Sequence, residues 1–312
     1  MSTSANAVIL DPLTITASML YAGTTIPVVD AGAGEAAYSP STAYTGVQVK
    51  INHEGWLYSS IAASTGVAPG TDATKWRRTG PSNRMAPFDD QMSTKAVAAG
   101  QMTYVLRPGF FTGIALYGVE GEEIEITLYA APGGAVIEHW QQEMYEQALG
   151  LFEYLYLPLR ALTKFQRQNL ELFPNAELHV TVRSAAGKRV AIGHLICGFW
   201  TTLLGSGEFG GVEYGAGAEI KTYSYIKTNE DGKVTIVPRN TATNITANVF
   251  VESEQLNAAF DLLSKVAGKP VAFIASGLPR YDYLNTFGLV SATVSPDTWR
   301  TGSISLKVQG FT

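Results

Sequence analysis

Residues 44–90 read YTGVQVKINHEGWLYSSIAASTGVAPGTDATKWRRTGPSNRMAPFDD. β-formers fill Val47 to Ile61 and are broken at Gly55, which divides the run into Val47 to Ile51 and Trp56 to Ile61, the two short strands of a hairpin. A glycine-proline loop, Gly66 to Gly70, follows. Trp56, Tyr58 and Trp76 then crowd a segment too small for an ordinary core. Such rings either fill a miniature core or stand out as a contact platform. Buried aromatics are the commoner fate, so the first reading is preferred and the second is kept.

The order Tyr44, Gly46, Val49, Gly55, Trp56, Tyr58, Gly66, Pro69, Gly70 and Trp76 resembles the small chitin-binding type of carbohydrate-binding module. The continuation Gly80-Pro81-Ser82-Asn83-Arg84-Met85-Ala86-Pro87-Phe88-Asp89 is not part of such modules in secreted chitinases. It resembles the version embedded in virion proteins of tailed bacteriophages. The resemblance implies a tail or baseplate protein, made in the host cytoplasm and carried in the virion. If the module binds host surface glycan, Trp56, Tyr58 or Trp76 would be the stacking rings. If it is a joint, Pro81 and Pro87 stiffen a strap in which Asn83, Arg84, Phe88 and Asp89 hold the hairpin to its neighbour, with Arg84 paired to Asp89 or Asp90.

Around this stretch, 312 residues suggest two or three compact units. Residues 1–43 are small, apolar and turn-rich, with Leu13 to Thr16 as the one convincing strand. Such a segment cannot bury a core alone. It resembles the N-terminal arm that precedes the module in the same phage proteins, which implies docking on the C-terminal parts of its own chain or on a neighbouring subunit. Residues 44–90 are the hairpin module. Residues 91–205 carry strands at Met102 to Leu106, Thr112 to Val119, Glu123 to Tyr129, Leu178 to Arg183 and Val190 to Leu204, a jelly-roll-like or galactose-binding-like β-sandwich. In that unit Ile137 to Phe173 has helical composition but is broken by Pro158 and Gly150, so a helix and a strand with a long excursion both stand.

Residues 206–312 read more plainly. Ile220 to Thr228 and Lys233 to Val237 flank Asp231-Gly232, a hairpin signal, and Asn244 to Val251 adds a strand. Ser253 is placed as the N-cap of a helix whose Leu256, Ala259, Phe260, Leu263 and Val266 follow helical spacing until Gly268 and Pro270 stop it. Three strands complete an α+β unit with one packed helix, similar in order to phage tail-tube and distal-tail folds. The fold class is therefore mainly β and multidomain.

Charged residues are only 16% of the chain and the net charge is −5, with no basic cluster to track phosphates, which argues against nucleic acid as the partner. No window is apolar enough for a signal peptide or a membrane span. Cys197 is the one cysteine and reads as core. Gly205-Ser206-Gly207-Glu208-Phe209-Gly210 spells the dinucleotide fingerprint, but more glycines follow where a helix should begin, so a loop is preferred and no cofactor is expected. His194 and Cys197 fall on opposite faces of a strand, and no metal is expected. Glu120, Glu122 and Glu123 cluster as glycosidase acids do, yet in a turn they are more simply solvated charges. Three classes are ranked: a non-enzymatic structural tail component that forms a ring with itself and other tail proteins, a receptor-facing glycan binder, and a cell-wall or polysaccharide hydrolase.

Overall fold

A computed structural model describes residues 7–46, 50–91, 94–146, 150–156, 160–203, 211–228, 232–239 and 241–311. Strand takes 49% of the chain and helix 11%, spread over several sheets, so the mainly β class holds. The first strand, β1 (Val8–Pro12), sits ahead of the expected Leu13 to Thr16. Ladder partners decide this: β1 is paired on both sides, whereas Leu13 finds only the Cys197 carbonyl before the chain turns.

The module forms a sheet in the order β2 (Ala36–Ala37), β3 (Ile51–His53), β4 (Trp56–Ser60), β5 (Trp76–Pro81). Part of its expected first strand, residues 47–49, lies outside the described residues. The β3–β4 turn is Glu54-Gly55, both at positive φ (51° and 82°), the backbone of a two-residue hairpin that twists with its strands. β5 adds a third antiparallel strand that the two-strand hairpin reading did not contain.

The next unit runs β6 (Ala96–Ala99), β7 (Gln101–Leu106), β8 (Gly113–Tyr117), β9 (Glu123–Tyr129), β10 (Val136–Glu143), the six-residue helix α1 (Leu151–Tyr156), β11 (Lys164–Arg167), β12 (Glu177–Arg183), β13 (Arg189–Ile192) and β14 (His194–Thr202). The ambiguous Ile137 to Phe173 stretch is thus a strand, an excursion with one short helix, and a second strand. One layer is β10-β9-β12-β7 and the other contains β11-β8-β14. Period-two alternation sends Ile124, Ile126, Leu128, Val180 and Met102 from one layer against Ile114, Leu116, Leu195 and Cys197 from the other, a sandwich core.

The last unit comprises β15 (Gly211–Val212), β16 (Gly217–Thr222), β17 (Tyr225–Thr228), β18 (Val234–Val237), β19 (Thr241–Glu252), the helix α2 (Leu256–Val266), β20 (Pro270–Ile274), β21 (Asn285–Pro296) and β22 (Thr301–Gly310). The expected Ile220 to Thr228 strand is broken between β16 and β17. α2 buries Ala259, Leu263 and Val266 on the sheet. Two details of that helix are corrected. Ser253 is not the N-cap, because it opens a 3-10 turn (Ser253–Gln255) that precedes the helix and its hydroxyl donates to the Thr298 carbonyl. Phe260 lies off the buried arc and is exposed.

A ten-stranded sheet ties these units together in the order β11-β8-β14-β1-β20-β21-β22-β19-β15, with β16 also on β19. β1 is the seam: it runs antiparallel to β14 on one side and to β20 on the other. Ile9 pairs with Thr201 and Phe273, so it shares a face with Cys197 and Val271. That face is covered by the second sandwich layer at one end and by α2 at the other. Leu10 points the opposite way, into a smaller cluster with Tyr117, Ile196, Ala272 and Phe287.

Candidate interaction site

Trp76 sits at the centre of the module. It is 3% exposed, meets Tyr44 edge-on at 4.9 Å and Tyr38 at 6.1 Å, and its indole N–H donates to the Val67 carbonyl at 2.9 Å. With Ile51, Tyr58 and Val67 these rings are the miniature core. Tyr58 is half-buried and lies against Gly70, where any Cβ would come within 3.0 Å of its hydroxyl. Trp56 carries the Arg78 guanidinium on its ring, 3.2 Å from the centroid. The structure therefore brings Tyr58 and Trp76 together inside the module and turns Trp56 toward the sandwich side, beside Pro87, Phe88 and Ile15.

The Gly80 to Asp89 segment lies between module and sandwich. Asn83 binds the backbone of Val97 twice: its amide donates to the carbonyl at 2.9 Å, and the Val97 N–H donates back at 2.8 Å. Met85 and Ala86 are buried in the sandwich core, and Phe88 packs edge-on to Tyr104 at 5.6 Å. Gly55 is required here, since a Cβ would stand 2.3 Å from the Met85 side chain. The expected pairing of Arg84 with Asp89 or Asp90 is corrected. Arg84 instead donates to the Ile26 carbonyl at 2.5 Å, and the Tyr104 hydroxyl donates to the Arg84 carbonyl at 3.0 Å. Asp89 turns the other way to accept from the Thr94 hydroxyl at 2.7 Å, with burial raising its carboxyl above the ordinary range. Arg84 thus pins the N-terminal arm, a role for which sequence offers no signal because the partner is a backbone carbonyl.

Among the described residues the β17–β18 ribbon pairs only with itself. Ile226 and Ile236 face each other across it and are 67% and 68% exposed. Val234, Tyr225 and the β16 residue Ile220 are also exposed. Two-stranded ribbons are marginal alone in water, and apolar patches of this kind mark contact surfaces. The hairpin was legible from Asp231-Gly232, although Asp231 itself lies outside the described residues. Its lack of cover was not, because alternation predicts one buried face.

No protein-family model matches this chain, and no match was found among curated proteins or among solved structures.

The acidic turn is fully engaged in ion pairs. Glu120 meets Lys95 at 2.7 Å and Arg189 at 3.2 Å, Glu122 meets Lys188 at 2.7 Å, and Glu123 meets Arg183 at 3.0 Å. The Lys188 bond holds Glu122 below its ordinary pKa, so it is ionised at neutral pH and has no proton to donate. Residues 205–210, the glycine-rich fingerprint, lie outside the described residues. Cys197 is buried in the sandwich core, its thiol pushed up to about 12 by burial, and is unreactive. Among the described residues no three His, Cys, Asp or Glu side chains gather as a metal site, and no helix is long and apolar enough to cross a membrane.

His194 is on the other face of that strand, 2% exposed, with its ring 4.4 Å from Phe287. Burial first, and the charge of Lys95 second, bring its pKa down from 6.5 to about 4. The unfolded chain takes up this proton near pH 6.5 and the folded chain only near 4, so acid favours unfolding across that window. Stability is expected to be fully present above pH 6.5 and to fall as pH drops toward 4, by a few kcal/mol at most. Thermal melts of the parent and of His194→Gln across this window check it: the variant should lose that part of the slope.

Proposed function

We propose that this chain is a non-enzymatic structural component of a bacteriophage tail or baseplate, which assembles into a closed ring with further copies of itself and joins other tail proteins. The uncovered Ile226–Ile236 pair carries this reading. An apolar cross-strand pair on a ribbon that has no third strand among the described residues gains its burial from a neighbouring molecule, and identical copies related by a closed rotation give each ribbon the same seat. Trp299, 80% exposed in the β21–β22 turn, offers a second apolar contact. The low charge of the chain agrees with a surface that meets protein. Placement in a phage tail draws on the likeness of residues 80–89 to tailed-phage virion proteins.

Two further observations favour a joint over a sugar platform or a hydrolase. Trp76 has its ring inside the module and Trp56 has Arg78 on its own. The clustered glutamates are held ionised or paired to cations. Native mass spectrometry of the full chain is expected to show a closed oligomer. Ile226→Lys with Ile236→Glu should return it to monomer with the parent's circular dichroism spectrum, as both side chains are exposed within the single chain. A parent chain that stays monomeric at high concentration, or an oligomer indifferent to the double substitution, contradicts the reading. Antibody labelling of intact particles tests the tail placement separately.

A further inference from the structure

Beside the ribbon, the two ends of the ten-stranded sheet come round to line one groove of about 980 Å³, with Thr163 and Lys164 at β11 in one wall and Ala218 and Ile220 of β16 in another. Five cations line it, Lys95, Arg160, Lys164, Arg189 and Arg239, against the Glu120 carboxylate among the described residues. Part of this charge is met inside the chain. Glu120 bridges Lys95 and Arg189, Arg160 meets Glu146 outside the groove at 3.2 Å, and Lys164 lies beside Asp282, whose backbone carbonyl it approaches at 3.5 Å. Three carboxylates against five cations leave an excess of two positive charges. Arg160 and Arg189 are exposed and each meets its carboxylate through one nitrogen, so further guanidinium N–H groups remain to face a partner. Arg239 lies on the Tyr225 ring at 4.8 Å, which carries the groove's rim to the base of the ribbon.

The rest of the molecule has the opposite sign. Five of the chain's 22 cations and one of its 27 acids lie in the groove, which leaves 17 cations against 26 acids elsewhere. An approaching copy therefore presents a mainly anionic surface. One apolar anchor stands within that surface. β19 and β22 run from the groove, where Thr241 and Phe311 line it, to a tip about 35 Å away at the β21–β22 turn. There the Ser253 N–H donates to the Arg300 carbonyl at 2.9 Å, which brings Glu252 and Glu254 beside the turn that carries Asp297 and the exposed Trp299. Arg300 lies over the Trp299 ring at 4.2 Å and offsets one of the three acids.

We infer that the groove receives the tip of a second copy of this chain, with Trp299 entering it and Glu252, Glu254 and Asp297 meeting the arginines of its wall. The inference rests on the ring reading above and deepens it. Groove and tip are different surfaces at opposite ends of the same two strands, so the contact is head to tail, the kind that closes a ring when its rotation allows. The ribbon at the groove's rim falls in the same contact. An aromatic anchor among opposed charges supplies affinity through the ring and partner choice through the charges.

Native mass spectrometry and sedimentation velocity of the full chain test this. Arg160→Glu with Arg239→Glu in the groove, and Glu254→Lys with Asp297→Lys at the tip, should each raise the concentration of half-assembly about tenfold or more while keeping the parent's circular dichroism spectrum. All four changes in one chain should restore assembly, because the opposed charges match again. High salt should weaken the parent oligomer. Trp299→Ala should weaken assembly alike, and it takes the place of any charge reversal that does not fold. A parent oligomer indifferent to these changes overturns the head-to-tail contact and leaves the ring reading in place, whereas a parent that stays monomeric removes both. Assembly lost in the two reversals and not recovered in the fourfold variant overturns it as well. So does an intact oligomer that binds the soluble polyanion heparin through Arg160 and Arg239, since its groove would then face solvent.

Discussion

Trp76→Ala is expected to destabilise the module by about 3–5 kcal/mol, the usual cost of emptying a buried tryptophan site. The cavity cannot collapse cheaply. Tyr38 and Tyr44 are held edge-on to the missing ring, and the Tyr44 hydroxyl is tied in place by the Ser39 N–H, from which it accepts at 2.9 Å. The Val67 carbonyl also loses its indole donor. Among the described residues only Tyr44, Ile51 and Trp76 are buried in this cluster, a core too small to make up the loss. Whole-chain melting should therefore show an early transition, and limited proteolysis should open the loop between Ile61 and Lys75 first. The strap predicts that the sandwich survives this event, since Met85 and Ala86 belong to its core rather than to the module's. An unchanged melt accompanied by loss of sugar binding would instead make Trp76 a glycan platform.

What the sequence discloses here depends on whether the signal is local. The Glu123 to Tyr129 alternation, the helical spacing of Leu256, Ala259, Leu263 and Val266 and the break at Gly55 are written in neighbouring residues, and the strand, the helix and the hairpin turn appear where expected. β1 was misplaced for the opposite reason. A short strand buried on both faces has no alternation, and Val8-Ile9-Leu10 reads as a strand only once β14 and β20 are known to flank it. The partner of Arg84 was missed because sequence can nominate a carboxylate but not one carbonyl among hundreds. The bond from the Lys164 ammonium to the Asn285 carbonyl is illegible in the same sense, since the two meet across 121 residues of chain and nothing near either one marks the meeting. The ribbon reverses the case, with pairing legible and burial not, since cover from another molecule leaves no trace in one chain's periodicity.

Removing residues 1–12 is expected to have the largest effect of any change here, loss of the soluble folded chain rather than a lowered melt. β1 is an interior strand, and its removal strips ladder partners from β14 and from β20 together. Two new edges are then exposed in the middle of a ten-stranded sheet, the arrangement most prone to pair with other chains. Ala7, Ile9 and Leu10 are each wholly buried, with Ile9 under α2 and Leu10 on the reverse face, so both sides of the sheet are opened at once. The Asp11 carboxylate also leaves Lys265 of α2, which it meets at 2.5 Å. Milder substitutions separate these contributions. Ile9→Ala should cost about 2–5 kcal/mol and loosen α2, and Leu10→Ala should cost a similar amount while sparing α2, because each empties a site on one face only. Urea denaturation followed by hydrogen exchange in α2 distinguishes the two. A truncated chain that stays soluble with the parent's melting temperature would show that β14 and β20 do not need the strand between them.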